Sequence, residues 1–223
     1  IVQNRDNSFT FDKGDKLVQV GDTAISYDHH GRLTFDGKNT YHCNGRGQLI
    51  KAETPSGTVI YKYDPFGRRI RKITDDQLTR YLWAGEQLLS ETTFDKMRMS
   101  KPLSSTRYLM FPLAPLPLAM EKDGSHYYFH TGHRSEVLCV TDKDRDIVWQ
   151  AQYSAFGEEK VITAEMFQPF RLAGQYFDRE TGLNYSLARY YNPATCRFLS
   201  RDPLFARGGS LNFYSYCGGD PIN

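Results

Sequence analysis

Few side chains of this sequence are spaced to do chemistry. His29 and His30 are adjacent, and His130 and His133 stand three apart. Either pair has the donors for a transition metal. Neither has a third ligand at a sensible spacing, so solvated turn histidines are expected. Cys43, Cys139, Cys196 and Cys217 lie 96, 57 and 21 residues apart and form no CxxC pair. They are expected as unpaired, buried or half-buried thiols. Ser154, in Tyr-Ser-Ala-Phe-Gly, lacks the GxSxG frame of a nucleophile elbow. Arg207-Gly208-Gly209-Ser210 lacks the strand–loop–helix context of a phosphate loop. The run Arg68-Arg69-Ile70-Arg71-Lys72 is short, with Asp75-Asp76 just beyond it, and reads as a solvated strand face. No complete catalytic set for a stand-alone enzyme is visible, and no metal or cofactor is expected.

The elements that must carry these residues belong to a folded chain. Its 223 residues suffice to bury a core, and aromatics at 14% argue against disorder. Lys+Arg 28 against Asp+Glu 26 leaves +2, which gives no footprint for a nucleic-acid partner. The longest apolar stretch, Leu109 to Met120, spans 12 residues and is broken by Pro112, Pro115 and Pro117. A bilayer needs roughly 20, so no membrane span is expected. The opening Ile1-Val2-Gln3-Asn4-Arg5 has no initiator Met and no apolar signal region, and suggests a piece of a longer protein.

An internal repeat organises the first half. Ile25-Ser26-Tyr27-Asp28 leads to Gly31-Arg32-Leu33, Tyr41-His42-Cys43-Asn44 to Gly47-Gln48-Leu49, and Tyr61-Lys62-Tyr63-Asp64 to Gly67-Arg68-Arg69-Ile70. A worn copy runs from Tyr81 through Trp83 and Gly85 to Leu88. The four glycines are 16, 20 and 18 residues apart, a period that fits one β-hairpin per unit. Residues two apart, such as Tyr61 and Tyr63, share a strand face. Asp28, Asn44 and Asp64 then start a turn that the glycine closes with φ > 0. In the third copy Arg69 takes the expected apolar slot. The inward position is expected to slip to Ile70 through a bulge. The best helix candidate is residues 158–166.

This pattern resembles the YD repeats of the Rhs family, which also occur in toxin-complex C components and teneurins. The second half extends the resemblance. Tyr127-Tyr128-Phe129-His130-Thr131-Gly132-His133-Arg134 leads through Val137 to Asp142, and Ile147-Val148-Trp149 to Phe156-Gly157. The densest match runs from Phe170-Arg171-Leu172-Ala173-Gly174-Gln175-Tyr176 through Ala188-Arg189-Tyr190-Tyr191 to Ser200-Arg201-Asp202-Pro203 and Leu211-Asn212-Phe213-Tyr214. It is similar to the Rhs core-associated signature. Departures are Cys196 and Phe205 where the family has Gly, Asp220 where it has Asn, and the missing turn Gly in Asp144-Arg145-Asp146. The second DPxG motif of the family is not reached by Asn223.

The resemblance implies an all-β fold: YD hairpins in a spiralling sheet, part of a hollow shell, with an inward-curling C-terminal plug. It divides the chain into a YD-hairpin region at 1–125, an irregular repeat at 126–158 and a core-associated segment at 159–223. It implies encapsulation of a C-terminal toxin domain, the chain's own partner, and release by aspartic-protease-like self-cleavage. The aligned catalytic residues are Asp202 and, thirteen residues before it, Arg189. Secretion-system spike or chaperone proteins are further partners implied. The protein would be made in the cytoplasm and then secreted or delivered. A second reading is an extracellular adhesion or glycan-binding module, with Tyr-rich strands exposed for stacking on sugars.

Overall fold

Each repeat folds as its turn chemistry requires. Asp28 Oδ1 accepts the backbone N–H groups of His30 and Arg32, both at 2.9 Å. Asn44 Oδ1 does the same for Arg46 and Gln48, and Asp64 Oδ1 for Phe66 and Arg68. Gly31, Gly47 and Gly67 have φ of 77°, 79° and 90°, the region glycine enters without steric cost. The arginine after the glycine reaches forward to a later turn. Arg32 Nη1 donates to the Asn44 carbonyl at 2.6 Å and Arg68 Nη1 to that of Gly85 at 2.9 Å. Arg134 Nη1 repeats the contact on the Ala155 carbonyl at 2.7 Å.

The computed structural model describes residues 8–112, 114–203 and 212–221. Among the described residues the hairpins join into a 14-stranded antiparallel sheet, from Ser26–Tyr27 to Glu159–Ala164. A 3-stranded sheet of Phe9–Phe11, Leu17–Val20 and Thr23–Ala24 precedes it. A 4-stranded sheet of Tyr176–Asp178, Leu183–Ser186, Arg189–Asn192 and Arg197–Phe198 follows. The fold is all-β. The small C-terminal sheet covers one face of the large one, and the core lies between them. Tyr41, Tyr61, Tyr81 and Tyr108 come from the large sheet, and Phe170, Tyr176, Tyr185 and Tyr190 from the covering layer, all buried. Full burial of a large apolar side chain contributes about 1.5–3 kcal/mol, so this layer is a substantial part of the stability. The tyrosines that suggested a sugar-stacking surface are largely these inward rings.

After several of the turns the next strand opens with a doublet. Its first residue, Leu49, Leu88 or Val137, is buried. Its second, Ile50, Leu89 or Leu138, is skipped by the ladder as a β-bulge and exposed. Arg69-Ile70 obeys the same rule. Tyr63 pairs with Arg69 and Lys62 with Arg71, so Ile70 is the bulge residue and Arg69 keeps the inward slot, fully buried. The expected slip to Ile70 is therefore overturned. The reading of the basic run as a solvated face fails at Arg69 and at Lys72, whose side chain is only 11% exposed, while Arg71 is exposed. The reason is a buried carboxylate, Asp178, brought over Arg69 by the C-terminal sheet. A buried charge is tolerated when it is paired and hydrogen-bonded.

Residues 158–166 correct a second expectation. They form an edge strand, Glu159–Ala164, whose register runs from Trp149↔Ala164 to Tyr153↔Glu159. The β-branched run Val161-Ile162-Thr163 suits the open ladder of its neighbour better than a helix.

The turn at Asp142 keeps the repeat's geometry without its glycine. Asp142 Oδ1 accepts the N–H groups of Asp144 and Asp146 at 2.9 and 3.0 Å, and Arg145 sits at φ 74°. A left-handed non-glycine residue costs about 1–2 kcal/mol. Arg145→Gly is thus expected to stabilise the chain by about 1 kcal/mol, visible as a higher urea midpoint. A lowered midpoint would show that the arginine side chain makes a compensating contact.

Candidate functional site

The C-terminal sheet brings the two sequence-predicted residues together. Arg189 opens the strand Arg189–Asn192, and Asp202 lies just past the strand Arg197–Phe198. Arg189 Nη2 is 3.0 Å from Asp202 Oδ2, with side chains 16% and 24% exposed. The guanidinium also stacks on the Phe198 ring at 3.6 Å, a cation–π contact alongside the ion pair. One backbone carbonyl, that of Phe213, accepts both Arg189 Nη1 at 3.4 Å and the Asp202 N–H at 2.9 Å. Burial pulls the Arg189 pKa below the usual guanidinium range, opposed by the charge and hydrogen bond of Asp202. The arrangement can hold a carboxylate in one orientation on a half-buried surface. Phe205, the departure nearest this pair, lies outside the described residues.

A second constellation was not anticipated. Arg69 Nη1 meets Asp178 Oδ2 at 2.5 Å and the Tyr190 hydroxyl at 3.1 Å. Four rings surround the guanidinium carbon: Tyr61 at 5.4 Å, Tyr81 at 4.8 Å, Tyr176 at 4.8 Å and Tyr185 at 4.6 Å. Lys72 Nζ lies 3.5 Å from Asp178 Oδ1 and 3.0 Å from Glu180 Oε1. Burial pushes the Tyr185 phenol up to about 12, so it stays a neutral donor. It accepts the Arg69 N–H at 2.9 Å. This cluster is closed and structural. One signal for it stood in the sequence: a charge in a slot that neighbouring repeats fill with Leu.

The other candidates separate. The His29 and His30 rings face each other at 3.8 Å within their turn, and His130 Nε2 meets Thr141 Oγ1 at 3.0 Å. Among the described residues no cluster of metal-binding side chains forms. Ser154 Oγ caps its own turn, accepting the Glu158 N–H at 3.1 Å. Cys43, Cys139 and Cys196 are half-buried free thiols and Cys217 is an exposed one. Among the described residues no helix is long and apolar enough to cross a membrane.

The teneurin YD-shell family model matches residues 1–222. The chain belongs to this YD-shell family. Its similarity extends to Rhs-type toxins. A tRNA3(Ser)-specific nuclease WapA of Bacillus spizizenii is 33% identical over 226 residues, covering 96% of the chain and 9% of the relative. A double-stranded DNA deaminase toxin A of Burkholderia cenocepacia is 29% identical, covering 92% of the chain and 17% of the relative. The TcdB2-TccC3 crystal structure superposes with a TM-score of 0.74 at 18% identity, over 97% of this chain and 13% of that one. The YD-shell chain thus spans 9% to 17% of these longer proteins, and its fold matches the superposed part of the TcdB2-TccC3 structure.

Proposed function

We propose that this YD-shell chain is the C-terminal wall of a toxin-delivery shell. In this reading 1–125 and 126–158 form wall hairpins. The segment 159–223 folds back as the plug beside a toxin domain encoded further on. Arg189 and Asp202 are one half of an aspartyl self-cleavage site that frees the toxin. The observation that carries this is the meeting of Arg189 and Asp202 at 3.0 Å. In an aspartyl pair one carboxyl gives a proton and the other takes one from water. The guanidinium orients Asp202 for the accepting role. The second carboxyl is expected from the parent protein beyond Asn223. The named toxin relatives support a toxin as the enclosed partner; secretion-system proteins as its carriers and delivery outside the producing cell belong to the same proposal.

The test is intact mass of the parent protein against its Asp202→Asn variant. A cut beyond Asn223 in wild type only is expected. If wild type stays whole, the wall is passive. If both are cut, Asp202 is not the catalyst.

A further inference from the structure

The turn Asn212–Ser215 touches both Arg189 and Asp202, and it is anchored on a residue far off in sequence. Phe213 gives the shared carbonyl. The turn is held from within: Asn212 Oδ1 accepts the Tyr214 N–H at 3.1 Å, and the Asn212 carbonyl accepts Ser215 Oγ at 2.8 Å. It runs antiparallel to the strand before Asp202, since Arg197 bridges Ser215 and the Phe198 N–H donates to the Tyr214 carbonyl at 2.9 Å. Tyr214 itself is fully buried, and its ring meets Tyr27 edge-on at 5.9 Å. Its hydroxyl donates to the Gly31 carbonyl at 2.7 Å. The approach is close enough that a Cβ on Gly31 would stand 2.5 Å from that hydroxyl and 2.8 Å from Arg201 Nε. The first YD turn therefore serves as a socket for Tyr214.

We infer that Tyr214 is a positioning residue of the self-cleavage site: its hydroxyl, seated on the Gly31 carbonyl, fixes the Phe213 carbonyl that clamps Arg189 to Asp202. This rests on the self-cleavage reading above. It adds that the first repeat, far off in sequence, controls the site. Tyr214 touches no reacting group. Its effect is geometric, passed through one peptide unit.

The test is a time course of cleavage in the full parent protein. Tyr214→Phe removes the hydroxyl and keeps the ring. Tyr191→Phe is the matched control, because Tyr191 is equally buried and its hydroxyl also donates to a backbone carbonyl at 2.7 Å, that of Phe156. Each variant loses one tyrosine-hydroxyl to backbone-carbonyl hydrogen bond, and Tyr214→Phe also removes a hydroxyl that hydrogen-bonds Arg201. Tyr214→Phe is expected to cleave about five- to tenfold more slowly, the kinetic equivalent of a lost hydrogen bond, and Tyr191→Phe at the wild-type rate. Equal slowing of both would reduce Tyr214 to a structural role and overturn the inference. So would a wild-type rate for Tyr214→Phe while Asp202→Asn stays uncut, which leaves the cleavage reading standing. A wild-type parent that is not cut removes both.

Discussion

Asp178→Ala is expected to lower the stability of the chain by about 3–5 kcal/mol, because it leaves a buried guanidinium uncompensated. Arg69 has no exposed surface and is enclosed by four tyrosine rings. Its Nε has no hydrogen-bond partner, so most of its compensation comes through Nη1, Asp178 and the rings. Arg69→Leu is expected to cost less. Asp178 would then keep Lys72, 3.5 Å away, and Leu is the residue found in the same slot at Leu49 and Leu88. The double variant Arg69→Leu with Asp178→Leu should recover most of the loss, since apolar replacement of a whole buried pair is often neutral. Urea midpoints of the three variants give the order directly. If Asp178→Ala and Arg69→Leu cost the same, Lys72 does not compensate Asp178. If Asp178→Ala costs under about 1 kcal/mol, water reaches Arg69 and the pair is not sealed.

This pair also shows what a sequence can and cannot reveal. The YD turns were legible because their chemistry is local: Asp28 and Asp64 bond residues two and four positions on. The inward faces were legible from residues two apart. Arg69 was not, because its partner lies 109 residues away and a charge in an apolar slot looks like a lapse in the pattern. The edge strand Glu159–Ala164 was missed for a related reason. Most of its side chains are exposed, so it carries no alternation to separate strand from helix. The meeting of Arg189 and Asp202 came from the family signature. Their shared acceptor, the Phe213 carbonyl, is a backbone atom and leaves no mark on residue type.

The same limit applies to how the C-terminal layer turns back over the sheet, and there a single glycine is decisive. After the edge strand the chain reverses at Leu172–Gly174, where Ala173 and Gly174 are both left-handed, at φ 52° and 72°. The Ala173 N–H is held by the Arg134 carbonyl at 3.1 Å, and buried Leu172 fills the space a Cβ on Gly157 would need. A Cβ on Gly174 would overlap the Pro115 carbonyl oxygen and stand 2.5 Å from the Pro115 Cβ. Gly174→Ala is therefore expected to cost at least about 3 kcal/mol: about 1–2 from the left-handed backbone and the rest from moving packed backbone. Gly182→Ala isolates the first contribution. Gly182 has nearly the same φ, 74°, and nothing within 4 Å of its Cβ position, so about 1–2 kcal/mol is expected. The difference between the two urea midpoints measures how tightly the reversal is pressed against Pro115. Equal losses would mean that the contact yields, and that the layer is held down by the Arg69–Asp178 pair and the tyrosine core, not by the reversal.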